Sequence, residues 1–267
     1  MRHQLAISHN SLGTLLRELS RPREAETACT TALDIEKRLF ADFPNRSDFQ
    51  RELANAQNNL GLLWHSTNRF NEAATSFAEA LEQRKQLVAN DPKTPDYHND
   101  LAATLVNFAS LENSRRDFSQ ARRLLEEAEP HHLAALKASP AHSLYREFYR
   151  KNLSALTRSC AGEGERTTAL QTARKIAELG WDRPNNACDA ARALATCVLL
   201  AETDTKANAP ERMKAMQFYA DAAMSMLREA ISRGYSNFSQ VAKDTAFNSL
   251  RQREDFKKIL AELQIPR

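Results

Sequence analysis

Slid along itself by 48 residues, this chain keeps meeting its own pattern. Leu12-Gly13 falls on Leu60-Gly61, then on Phe108-Ala109 and Leu156-Thr157. Ala25 falls on Ala73, Ala121 and Ala169, and Ala32 on Ala80 and Ala128. Pro44, Pro92 and Pro140 align too, each followed five residues later by an aromatic: Phe49, Tyr97 and Tyr145. Leu5-Ala6, Leu53-Ala54 and Leu101-Ala102 complete the register. A unit this short cannot close a core alone, so copies bury their apolar faces by stacking on one another. The chain is therefore expected to be an array.

Each copy reads as two helices. In the second, Leu53, Gln57, Leu60, Gly61 and Trp64 form one helical stripe, which Asn68 breaks. Ala73, Phe77, Ala80, Leu81, Leu87 and Val88 carry the next helix until Asn90-Asp91-Pro92 stops it. Thr94-Pro95-Asp96 then predicts a restart with a hydroxyl cap, a proline in the first turn and an acid favourable to the helix dipole. Small residues at Gly13, Gly61, Ala73, Ala80, Ala109, Ala121 and Ala128 let paired helices approach closely. Four such hairpins fill 1–180, and an atypical helical set fills 181–267. There, 185–202 is an alanine-rich helix, 203–209 a small polar inserted loop, and Pro210 to Arg233 a long helix stopped by Gly234. Short terminal helices follow, whose Phe247, Leu250, Phe256 and Leu260 are expected to cap Ala220, Ala223 and Leu227.

These residues resemble the tetratricopeptide repeat, with its W-x2-L-G-x2-Y, A-x3-F and A motifs. The second copy carries Leu60-Gly61, Trp64 in the tyrosine place, Ala73-x3-Phe77 and Ala80. It departs at Gln57, which replaces the tryptophan; the first copy has Cys29 for phenylalanine, and the fourth has Thr157 and Cys160 for glycine and tyrosine. The resemblance implies an all-α, TPR-like α-solenoid of antiparallel helix pairs, with hairpins longer than the family's repeat of about 34 residues and an atypical C-terminal cap. The Pro-x4-aromatic-x3-Leu linkers and the terminus Asp244-x2-Phe247-x2-Leu250-Arg251-x3-Asp255-Phe256 are also similar to the repeat tails of bacterial serine/threonine protein kinases. Met1-Arg2-His3-Gln4-Leu5-Ala6 superposes on Phe49 to Ala54, inside a repeat, which predicts that the chain is one part of a longer polypeptide.

The composition narrows the chemistry. Only 6 glycines are present, where average usage of about 7% would give roughly 19. Gly162 and Gly164 form the one G-x-G, Thr167 stands where a third glycine would be, and no P-loop motif occurs. Kinase H-R-D and D-F-G motifs, a G-x-S-x-G elbow and an H-E-x-x-H helix are likewise missing from the sequence, so no enzyme activity and no cofactor are expected of these residues. The net charge of +3 is too small to imply nucleic-acid or membrane binding, and the apolar run at 193–201 is about half a bilayer span. Cys29, Cys160, Cys188 and Cys197 lie far apart, as buried thiols of a cytoplasmic protein would. His131 and His132 read as surface residues rather than metal ligands, since adjacent helical side chains diverge by about 100°. Tyr145 and Tyr149 occupy the register of Tyr97 and Leu101 and read as packing residues.

The function implied by the resemblance is protein binding in a concave groove, lined by first-helix residues around the Leu-Gly pair. Carried onto this chain, those positions are Asn10, Arg17, Asn58, Asn59, Leu62, His65, Asn107, Ser110, Lys151 and Arg158. An amide can donate to a peptide carbonyl and accept from its N–H, so repeated asparagines suit an extended backbone. The alternative is that they cap or bridge neighbouring helices. The expected partner is a protein or peptide, an acidic extended segment being favoured by the basic positions, and self-association is open to such an array. The rival reading is a regulatory or substrate-recruiting kinase tail whose catalytic domain lies outside this chain.

Overall fold

The computed structural model describes residues 1–263, and among them the regular structure is all helical. The helices are α1 (Arg2–Glu18), α2 (Pro22–Asp42), α3 (Ser47–Ser66), α4 (Phe70–Asn90), α5 (Pro95–Ser114), α6 (Phe118–Ala138), α7 (Ser143–Gly162), α8 (Arg166–Ala177), α9 (Arg183–Glu202), α10 (Ala209–Ser232), α11 (Phe238–Lys243) and α12 (Glu254–Leu263), with a 3-10 helix at Thr245–Leu250. We refer to α1, α3, α5 and α7 as A helices and to α2, α4, α6 and α8 as B helices. The starts of α3, α5 and α7 at 47, 95 and 143 lie 48 residues apart, as do those of α4, α6 and α8 at 70, 118 and 166. The chain is an all-α, TPR-like solenoid built from consecutive helix pairs. It divides into two compact units, 1–115 with 123–149 and 116–122 with 150–267.

The turn from each A helix to its B helix recurs with the repeat. Ser20, Asn68, Arg116 and Gly164, again 48 residues apart, are left-handed at φ 58°, 61°, 64° and 82°. The next amide reaches back five residues: Arg21 N–H donates to Leu16 O (2.9 Å), Arg69 to Trp64 O (2.8 Å) and Glu165 to Cys160 O (2.9 Å). This Schellman closure satisfies carbonyls that a helix end would otherwise leave open. It also reverses the chain within three residues. The restart at α5 differs from expectation in one detail. Pro95 and Asp96 stand in its first turn, but the N-cap residue Thr94 makes no side-chain cap and instead donates its hydroxyl to the Asp91 carboxylate at 2.5 Å. A bond to a charged acceptor is stronger than a neutral cap, so the linker wins the hydroxyl.

In the first unit α1 packs on α2 and α3 on α4, while α2 also packs on α3 and α4 on α5. Leu60 and Leu63 of α3 thereby join Leu16, Ala25, Ala28 and Cys29 in one cluster. Ala73, Phe77 and Leu111 form the next. Gly61 makes the close approach within the second pair, because a Cβ there would stand 2.6 Å from the Phe77 ring. Gly13 does the same against Cys29.

In the second unit α8 and α10 pack on α9, and so does the 3-10 helix. Phe247, Leu250 and Phe256 are buried, but the terminal set does not cover α10 alone. Ser249 Oγ donates to Ala195 O of α9 at 3.2 Å, and Asp244 pairs with Arg192 of α9 at 2.6 Å. Asp255 pairs with Arg228 of α10 at 2.9 Å. The two aspartates of the terminal motif thus pin the cap to two different helices.

Candidate binding face

The asparagines come together on the A helices of the first unit. Asn107 Nδ2 donates to Asn58 Oδ1 at 3.0 Å, and Asn59 Nδ2 donates to Asn10 Oδ1 at 2.9 Å. Asn58 Nδ2 lies 3.4 Å from Asn59 Oδ1, closing a chain of amides from α5 through α3 to α1. Thr104 Oγ1 adds a second donor to Asn58 Oδ1, at 3.2 Å. The amides therefore bridge neighbouring A helices. Asn58 is buried, whereas Asn10, Asn59 and Asn107 are half-buried. An amide offers two donors and two acceptor sites, so the half-buried members keep unused valences. Among the described residues, Asn10 Nδ2 and Asn107 Oδ1 have no partner within the chain.

The remaining sequence candidates separate. His65 Nε2 meets Ser114 Oγ at 3.0 Å, and that hydroxyl donates to Ser110 O. Arg17 is half-buried with Glu18 at 3.8 Å. Leu62 packs against the Ala73, Phe77 and Leu111 cluster. Lys151 and Arg158 are exposed on the part of α7 that belongs to the second unit.

Pattern reading missed a row of buried ionisable groups on the B helices: Glu36, Arg84 and His132, at 48-residue spacing. His3 Nδ1 meets Glu36 at 3.1 Å, yet burial outweighs that partner and holds the carboxyl above its usual range. Arg84 donates to Asn55 Oδ1 at 2.8 Å and to the carbonyl of Asp100, whose carboxylate pairs with Arg51 at 2.7 Å. Tyr145 donates its hydroxyl to Asp96 of the same group, and Tyr149 donates to Glu129 at 3.1 Å; both rings are buried, as packing residues should be.

The histidines correct the surface reading. His132 is only 1% exposed, neither ring nitrogen has a hydrogen-bond partner among the described residues, and burial holds it neutral with a pKa of about 4. His131 is half-buried, its Nδ1 2.8 Å from His98 Nδ1. Because His98 Nε2 faces Pro92 O at 2.9 Å and must donate there, His98 Nδ1 accepts and His131 Nδ1 is the donor. Among the described residues no group of three or more His, Cys, Asp or Glu side chains could hold a metal, and no helix is long and apolar enough to cross a membrane.

Residues 53–93 match the sequence model of the tetratricopeptide repeat family. A solved kinesin light chain of Podospora anserina with nearly identical TPR-like repeats superposes with a TM-score of 0.50 at 15% identity, over 85% of this chain and 99% of that one. The fold is that of a tetratricopeptide repeat protein. The structure of pilF from Pseudomonas aeruginosa is also similar, at 15% identity and a TM-score of 0.47 over 94% of this chain and 98% of that one. No curated protein matches the sequence. Within the tetratricopeptide repeat frame, Gly61 and Phe77 are the helix-contact pair, and the asparagine bridge lies along successive A helices.

Proposed function

We propose that this chain is a non-catalytic scaffold for protein–protein interaction, and that the A-helix face of the first unit grips an extended peptide segment. The observation that carries this is the asparagine chain. Packing already fixes Asn10 and Asn59 through their mutual bond and Asn107 through its bond to Asn58, so a ligand backbone meets preorganised amides and orders few side chains on binding. Amides recognise main chain without reading sequence, and Arg17, seven residues after Asn10 along α1, favours an acidic segment.

The test is peptide display selection on the immobilised full chain, followed by titration of the selected peptides. Asp- and Glu-rich peptides should emerge, with affinity that falls as salt rises, since exposed charges are screened over about 10 Å at 0.1 M. The Asn59→Ala/Asn107→Ala variant should bind about tenfold or more weakly, a loss of about 1–3 kcal/mol per amide contact. Equal binding by the variant, or crosslinking of the peptide to α2 and α4 instead of α1, α3 and α5, overturns the reading.

A further inference from the structure

Residues 203–208 join α9 to α10, where the earlier pairs use three-residue turns such as 67–69 and 163–165. Within the second unit this longer connection walls a cleft of about 210 Å³. Four cations line it: Arg116, Arg166, Lys206 and Arg212. Its two acids are spent locally, Asp204 accepting from Lys206 N–H at 2.9 Å and Glu211 from Asn208 N–H at 3.0 Å in the capping box of α10. The guanidinium hydrogen bonds go to carbonyls: Arg116 donates to Thr203 O (3.3 Å), Arg166 to Glu211 O (3.4 Å) and Arg212 to Ala207 O (2.7 Å), and Arg116 also lies 6.0 Å from the centre of the Phe118 ring. Among the described residues none of the four cations has a carboxylate at ion-pair distance. The first turns of α6, α8 and α10 each contribute a lining residue, Phe118, Arg166 and Arg212, and helix starts favour anions.

A second observation points the same way. Tyr219 lines this cleft, is 2% exposed, and its hydroxyl has no partner among the described residues. Burying a hydroxyl without a partner is costly, so a site of this kind expects an acceptor to arrive. Burial raises its pKa and keeps the phenol protonated, and Arg166 is near enough to act on it electrostatically.

We propose that this cleft binds a phosphoryl group carried on a small apolar stem, with the four cations around its oxygens, Tyr219 donating to one of them, and Phe118 and Leu200 against the stem. On this lining four cations stand against two engaged acids, an excess of two positive charges; the adjoining opening adds Asp117, which accepts from Gln120 N–H at 3.0 Å, and Glu163, which pairs with Arg122 at 3.0 Å. A phosphoryl dianion matches that excess; a carboxylate leaves half of it unmet. The guanidinium fork also suits phosphoryl oxygens. The site is independent of the asparagine face.

The proposal is tested by amide NMR titration of the full chain with phenyl phosphate, inorganic phosphate and phenylacetate. Phenyl phosphate should shift the amides of 203–212 and 164–168 and bind at least tenfold tighter than phenylacetate. Inorganic phosphate weaker than phenyl phosphate marks a stem-borne phosphoryl as the source; equal binding marks free phosphate. Arg166→Gln/Arg212→Gln should lose tenfold or more, and Tyr219→Phe severalfold with its melting temperature held. No shift in these segments, phenylacetate binding as tightly, or both variants binding like the parent overturns the proposal.

Discussion

α1 and α3 hold the same apolar register and differ in what lies on them. Leu5, Leu12 and Leu15 of α1 are 51%, 45% and 52% exposed, whereas Leu53, Leu60 and Leu63, their equivalents 48 residues on, are 5%, 0% and 1% exposed. α3 is covered on that side by Ala25, Ala28 and Cys29 of the preceding B helix, and no described helix takes that place over α1. A hairpin here buries only one flank of its A helix by itself. The other flank is buried by the B helix before it, which is why the stack, and not the single repeat, is the stable unit.

The largest expected effect follows directly from that contrast. Leu63→Ala empties a packed site and should cost about 2–5 kcal/mol, while Leu15→Ala at the same register should stay within about 0.5 kcal/mol. Denaturant unfolding of the two variants checks it, and equal losses would break the comparison.

The buried B-helix row sharpens it further. Arg84 has two side-chain bonds to other helices, whereas His132, one repeat later, has none among the described residues. Burial depresses the folded pKa of His132 to about 4, below the unfolded value of about 6.5. The unfolded chain therefore takes up the proton first. Its contribution to stability is full above about pH 6.5 and is lost as pH falls toward 4, by up to about 3 kcal/mol. Unfolding curves at pH 7 and pH 4.5 should show that loss in the parent and a flatter profile in His132→Leu.

The smallest effect concerns the turns. Ser20 holds a left-handed conformation that Gly164 adopts at the same repeat position without a Cβ. Ser20→Gly should gain, and Gly164→Ser lose, about 0.5–1 kcal/mol in thermal or denaturant unfolding. Both variants behaving alike would show that the two turns differ in strain.

Much of this was legible in the sequence because it rests on size and polarity at fixed spacing. Gly61 facing Phe77 is a shape constraint, and Leu60 with Leu63 is a stripe, so both stand out in one copy and again in the next. The buried row escaped notice since Glu36, Arg84 and His132 share a position but no chemistry, and an apolar count passes over all three. The turn position was equally hidden, being filled by Ser20, Asn68, Arg116 and Gly164. For the asparagines, the residue type suited both a ligand clamp and a helix bridge; the distances show the bridge, and the clamp is the proposal that binding measurements decide. Arg116, Arg166 and Arg212 are scattered over almost a hundred residues, so their cleft had no sequence signature beyond the inserted loop.

The most direct measurement of stacking between hairpins is a double-mutant cycle across it, with Cys29→Ala on α2, Leu63→Ala on α3, and the two combined. Both side chains lie in one cluster although they belong to different hairpins. Contacting residues couple by about 0.5–3 kcal/mol, and a coupling in that range is the predicted result. Additivity to within about 0.3–0.5 kcal/mol, the behaviour of independent sites, would contradict the claim that each A helix is buried by the B helix before it.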